Sequence, residues 1–264
     1  MKRTLIIGVL AVLAFAVILI ARLPASWVVP SPPSQVACAD TDGTIWSGGC
    51  TGLTIQGQNV GDATWELHPL PLLSGKIAAH VVLSRAPAPP GPAGSARLTQ
   101  GAAVSAPAHA EGDLESGFSG KDISVRHLKT DLSFDPTLVP QLHLPFAGSL
   151  HAELSQVQVK NRAITQVQGE VQVHDLNDRS DNMDLGSYSL TFPGGSGEQT
   201  ARLQDLGGPL AVEGTVRFTN EPGVVVDGLV AARPTASRDL QDQLRVLGTP
   251  DAQGRRPFSF ASTF

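Results

Sequence analysis

The chain has 264 residues, enough for one elongated domain or two small ones. Hydrophobic residues make up 41%, so an apolar core can form, while charged residues are only 16%, below the roughly 25% of an ordinary soluble domain. The net charge of −5 and the lack of any basic run exclude nucleic acid as a partner. Gln, Ser and Thr carry most of the polarity, which suits the solvated faces of strands.

Thr4 to Ala21 is uncharged and nearly all apolar, and its length is the lower limit for a membrane-spanning helix. Lys2 and Arg3 before it hold the short N-terminus in the cytoplasm, and Trp27 beyond it suits an interfacial anchor. A cleaved signal peptide is the competing reading. The small-x-small triplet Ala37-Cys38-Ala39 lies too far past the apolar run to serve it. Residues 1–3 are thus a cytoplasmic start, 4–21 a transmembrane helix, and 22–37 an extended, proline-punctuated spacer. Residues 38–264 form a β domain on the far side.

The two cysteines, Cys38 and Cys50, both follow the apolar run closely. An exported domain meets an oxidising compartment, where a disulfide between them is the default. Gly43-Thr44-Ile45-Trp46-Ser47-Gly48 reads as a short, tightly turned strand with Ile45 and Trp46 on opposite sides. Trp65 lies in a weakly alternating segment, Asp62 to Leu67. Leu70 to Leu73 is too short and proline-rich for a helix. Ile77, Ala79, Val81 and Leu83 share one face of a strand. The proline-rich stretch 86–94 is either a division between two parts or an excursion at a hairpin tip.

From residue 96 to 233, strand follows strand. Leu150, Ala152 and Leu154 share a face, but Val157 and Val159 take odd numbers, so a β-bulge is expected near Ser155-Gln156. Val167 to Val173, Tyr188 to Phe192, Leu210 to Phe218 and Val224 to Val230 each alternate. Short connections between such strands imply antiparallel neighbours and a meander with one apolar and one polar face. Leu240, Leu244 and Leu247 at helical spacing predict one short helix over 237–247, ended by Gly248 and Pro250 and able to cap an open end of the sheet. A last apolar strand runs from Pro257 to Phe264.

Reactive constellations are absent. The seven histidines form no zinc-binding pattern, and only His143 and His151 lie near each other with a carboxylate, Glu153. Gly117-Phe118-Ser119-Gly120-Lys121 lacks the leading glycine and the Ser or Thr of a phosphate loop. Ser196 among glycines lacks the symmetry of a nucleophile elbow. Asp178, Asp181 and Asp184 read as a solvated hairpin loop rather than a calcium cage. No catalytic, metal-binding or cofactor-binding residue is assigned, no cofactor is expected, and an enzyme is not.

Several segments, in order, resemble the type II secretion system protein N family. They are the N-terminal anchor with Leu23-Pro24-Ala25-Ser26-Trp27, then Gly43 to Gly48, then Trp65-Glu66-Leu67-His68-Pro69. Leu185-Gly186-Ser187-Tyr188 follows, then Asp205-Leu206-Gly207-Gly208-Pro209-Leu210, Leu244 to Gly248 and Asp251 to Arg255. Val173 stands where the resemblance leads to a tryptophan. The resemblance implies an all-β, strongly curved antiparallel sheet. It implies a non-catalytic, single-pass component of the Gram-negative inner membrane whose periplasmic domain is a scaffold for export of folded proteins. Its partners would be the inner membrane and other secretion components, the inner-membrane platform and the secretin among them. The family is similar to AsmA-like proteins, so the alternative is a periplasmic lipid-binding or lipid-transfer protein.

Overall fold

The computed structural model describes residues 21–27, 36–55, 58–85, 108–134, 146–161, 163–195, 199–218 and 223–263, together with Phe15 and Leu19. Within them lie β1 (Val36–Ala37), β2 (Asp40–Gly43), β3 (Ser47–Ile55), β4 (Gln58–His68), β5 (Lys76–Arg85), β6 (Ala108–Gly117) and β7 (Asp122–Phe134). They continue with β8 (Phe146–Lys160), β9 (Ala163–Asp178), β10 (Met183–Pro193), β11 (Thr200–Gly207), β12 (Leu210–Phe218) and β13 (Gly223–Ala232). Helix α1 (Arg238–Leu244) and β14 (Arg256–Thr263) complete the order.

All fourteen strands join one antiparallel sheet in sequence order, with β1 and β2 both paired to β3. The sheet is open: β14 ends it on one side, β1 and β2 on the other. Alternation fixes the register. Val212, Gly214, Val216 and Phe218 stand opposite Val230, Gly228, Val226 and Val224, and Phe258 and Phe260 continue the row. Paired residues share a face, so apolar side chains line up across strand after strand. The expected slip near Ser155 is present: β8 and β9 change register between Leu154 and Gln156, which keeps Leu154 and Val157 on the same face. Asn161 makes the next turn in the left-handed region, at φ 50°, which asparagine tolerates.

Helix α1 starts at Ser237, whose hydroxyl accepts the Leu240 N–H at 3.2 Å. It passes into a 3₁₀ turn, Arg245–Leu247. Leu240 is buried against Met183, Leu210 and Val230, with Leu244, Leu247 and Phe258 packed around it. A second cluster gathers Val167, Phe192, Ala201 and Val216 on the same face. Phe192 and Phe218 stack there with centroids 6.0 Å apart.

Four expectations are revised. Gly43 to Gly48 is not one strand but a hairpin, in which Gly43 ends β2, Thr44 to Trp46 turn and Ser47 starts β3: Thr44 Oγ1 accepts the N–H groups of Trp46 and Ser47, and that local turn wins over the alternation. The spacer is not wholly extended, because Ala25–Trp27 is a 3₁₀ turn with Ala25 buried, and Pro24 bridges to Thr44. Leu70–Ser74, expected to be non-helical, is a 3₁₀ turn closed by Gly75. The sheet begins at Val36, ahead of Cys38. The expected transmembrane segment 4–21 lies outside the described residues except for Phe15, Leu19 and Ala21, which are helical. Among the described residues no helix is long and apolar enough to cross a membrane. The proline-rich connection from β5 to β6 lies wholly outside them, but β5 and β6 pair from Lys76 with Gly117 to Arg85 with Ala108.

Candidate functional site

The apolar face lines an open pocket of about 560 Å³. Val173, Tyr188, Leu203 and Val212 form its floor, Leu244 and Leu247 its helical wall, and Phe258 one end. Phe134 and Phe146, the last residue of β7 and the first of β8, stand at the other end. No lining residue is charged. The Tyr188 hydroxyl donates to the Leu185 carbonyl. Burial, reinforced by the negative charge of Asp205 and Asp184, pushes its pKa up to about 12. The phenol is therefore a neutral donor turned inward to its own backbone, not a nucleophile.

The segments that carry the family resemblance are joints between strands. At the first, Trp65 Nε1 donates to the Ile45 carbonyl at 3.2 Å, and the indole lies over Gly48. A Cβ on Gly48 would come within 2.7 Å of Trp65 Cζ2, so only glycine fits. Gly43 closes the same hairpin at φ 80°. Ile45 and Trp46 are partly buried, and the Trp46 carbonyl accepts the Leu67 N–H. Cys38 and Cys50 are joined by a disulfide with Cα atoms 5.6 Å apart, tying the chain between β1 and β2 to β3.

At the second joint, Gly186 and Gly208 pass so closely that a Cβ on Gly208 would lie 2.6 Å from the Gly186 Cα. Beside it, Arg233 Nη2 meets Asp205 Oδ1 at 2.5 Å, and Arg233 Nη1 donates to the Gly208 and Leu210 carbonyls. Partial burial would raise the Asp205 pKa, but the Arg233 bond and the Val212 N–H outweigh it and hold the carboxylate ionised. Arg233 carried no signal in the sequence, because its partner lies 28 residues away. At the third joint, Asp251 accepts from the Gln253 and Arg255 N–H groups and from Arg255 Nε, while Arg255 Nη1 reaches Glu213.

The polar face carries a row of cross-strand pairs. Asp113 accepts from His80 and His127, at 2.8 and 3.0 Å. The His127 and His80 bonds draw the Asp113 pKa below the usual carboxylate range. Asp131 holds His151 at 2.5 Å and raises the imidazole pKa, with Glu153 and Glu170 adding to the pull. Asp62, Ser84, His109, Asp131, His151 and His174 line a second cavity of about 650 Å³. His143 lies outside the described residues. Gly117 to Lys121 forms the β6–β7 turn, and Asp178 accepts the Ser180 N–H in the β9–β10 turn. Among the described residues no group of three or more His, Cys, Asp or Glu is placed to hold a metal ion.

Residues 34–259 match the model of the family described as Type II secretion system (T2SS), protein N. Two relatives carry the name Type II secretion system protein N. One, from Aeromonas hydrophila, is 25% identical over 269 residues, covering 98% of each chain. The other, from Vibrio cholerae serotype O1, is 24% identical over 266 residues with the same coverage. No solved structure matches the chain. The match runs through all three joints and nearly the whole sheet, and the chain belongs to the type II secretion system protein N family, with a role in type II secretion.

Proposed function

We propose that this protein is a non-catalytic scaffold of the type II secretion machine, anchored in the inner membrane by residues 4–21 with its N-terminus in the cytoplasm. Residues 22–37 lead out of the bilayer, and residues 38–264 stand in the periplasm. The observation that carries this reading is how the family's motif residues are used. Trp65, Gly48, Gly186, Gly208, Asp205, Asp251 and Arg255 are taken up in holding strands and turns together rather than in presenting a reactive group.

A scaffold needs a large, shaped surface. Seven strand steps separate β7 from β14, about 34 Å in a flat sheet at about 4.8 Å per step. Yet Phe134 and Phe258 line one cavity of about 560 Å³, which supports a strongly curved sheet. The opposite face offers Gln156, Gln158, Gln166, Gln168 and Gln172, hydrogen-bonding groups without net charge. Such a surface suits a reversible contact with the inner-membrane platform or the secretin. The anchor confines the search for them to the membrane surface.

The uncharged cavity favours a second reading, an AsmA-like protein that binds or transfers lipid. Against it, α1 and the leucines that follow it cover one end of the apolar face and take up part of the surface a lipid would need. Photo-crosslinkers at Gln158 and Gln168, in cells with the secretion operon intact, should yield adducts with platform or secretin subunits. Crosslinkers at Val173 and Leu203 should yield none with lipid. The converse pattern would reject the scaffold.

A further inference from the structure

The two edges of the sheet are unlike. At one edge, β1 and β2 are interrupted at Cys38-Ala39, tied to β3 by the disulfide, and carry exposed Asp40 and Asp42. The segment before them also sits on this edge: Pro24 bridges to Thr44, and Ile45 donates to the Leu23 carbonyl. Interruption, charge and cover are the devices that keep a sheet edge from pairing. At the other edge nothing among the described residues interrupts or covers the strand, and a charge and a proline, Arg256 and Pro257, stand only at its start. β14 is eight residues long, every residue from Ser259 to Ser262 is exposed, and Phe260 is 58% exposed. The arginines at its start are engaged within the chain, Arg255 just before it with Glu213 and Asp251, and Arg256, its first residue, with the Gly248 carbonyl.

We propose that β14 is a docking edge for a second copy of this chain, paired antiparallel about a two-fold axis through Ser259. The partner follows from the strand's own sequence. Phe258-Ser259-Phe260 is palindromic, so a two-fold at Ser259 sets Phe258 of one copy opposite Phe260 of the other. Paired residues share a face, and both phenylalanines lie on the apolar face, so that face continues from copy to copy. Small residues meet on the polar face, where Ser259 is already held by Asp227 at 2.7 Å and Asp227 by Arg217 at 3.0 Å. Arg256 falls opposite Ser262, so no like charges face each other.

The backbone agrees. Pro257 has no N–H for β13, a loss a strand tolerates where the missing donor points away from the sheet. Pro257, Ser259 and Ala261 therefore turn their backbone groups outward. The two Ser259 residues exchange both bonds, and Ala261 of each copy donates to the Pro257 carbonyl of the other. Because only one edge is open, the contact is isologous and closes as a dimer. Pairing of β14 with a free β1–β2 edge would instead grow a filament. The proposal is independent of the scaffold reading, since its test reads only self-association.

The test uses the full chain in native membranes. Cys38 and Cys50 are bonded to each other, so an introduced cysteine is the sole free thiol among the described residues. Ser259→Cys should form a disulfide-linked dimer on mild oxidation, because antiparallel partners have Cα atoms about 5.5 Å apart. Ala261→Cys should give about tenfold less, since its mates would stand about 13 Å apart along the strands. Asp42→Cys at the covered edge should give none. Equal yields at positions 259, 261 and 42, or no dimer at 259, would overturn the proposal. A Ser259→Cys adduct to a different protein would also overturn it and give the edge to a foreign strand.

Discussion

Strands β3 to β7 and β8 to β14 share one sheet and one alternation, yet they are held differently. On the later strands, buried Val167, Phe192, Ala201 and Val216 form one cluster, and Met183, Leu210, Val230 and Leu240 another. On the earlier strands the buried apolar residues in the ladder are small: Cys50, Ala63 and Ala79. Leu114 on the same face is 37% exposed. There the bonds are the ladder itself, the disulfide and exposed cross-strand pairs such as Lys76–Glu115 at 2.6 Å and Arg126–Glu115 at 3.1 Å. The difference teaches that alternation makes a face but not a core. A core forms where a second layer, here α1, or the sheet's own curl covers that face.

Truncation breaks the comparison most sharply. Phe192→Ala should cost about 3–5 kcal/mol and Leu240→Ala about 2–5 kcal/mol, whereas Leu114→Ala should cost about 1 kcal/mol or less. Urea unfolding of the three variants checks the order, and equal losses would erase the distinction. Replacing both Cys38 and Cys50 by Ser should cost about 3 kcal/mol in the chain-entropy model. Hydrogen exchange should quicken in β1 to β4 and stay unchanged in β8 to β14.

The smallest effect is pH dependence on the earlier strands. The His151 pKa is raised by Asp131, so its contribution is complete below its ordinary 6.5 and is lost as pH rises through the folded value. The Asp113 pKa is lowered by His127 and His80, so its contribution is complete above its ordinary 3.8 and is lost as pH falls through the folded value. Exchange protection in β6 to β8 should therefore peak between pH 3.8 and 6.5. Each pair is solvent-screened and contributes at most about 1 kcal/mol. Asp131→Asn should flatten the alkaline side of that peak.

Local pattern was legible in the sequence; long-range register was not. The Leu154–Val157 phase slip disclosed the β8 bulge, and the leucine spacing disclosed α1, because both are set by neighbours in the chain. The Thr44 turn was misread because Ile45 and Trp46 imitate alternation while the deciding bonds come from one hydroxyl. Asp205 with Arg233, Asp131 with His151, and Gly186 with Gly208 meet only once each strand has its register. The cavity was hidden for the same reason, its lining being drawn from β7 to β14. Val173 sits in its floor, so a tryptophan there would fill space that valine leaves open.

The scaffold reading is tested most directly by deleting the gene in its native host and measuring two outputs together. These are export of folded exoproteins across the outer membrane and outer-membrane lipid composition. The account predicts that exoproteins cross the inner membrane normally but accumulate in the periplasm, with lipid composition unchanged. Normal export with altered outer-membrane lipid would contradict it and give the apolar cavity, not the polar face, the functional role.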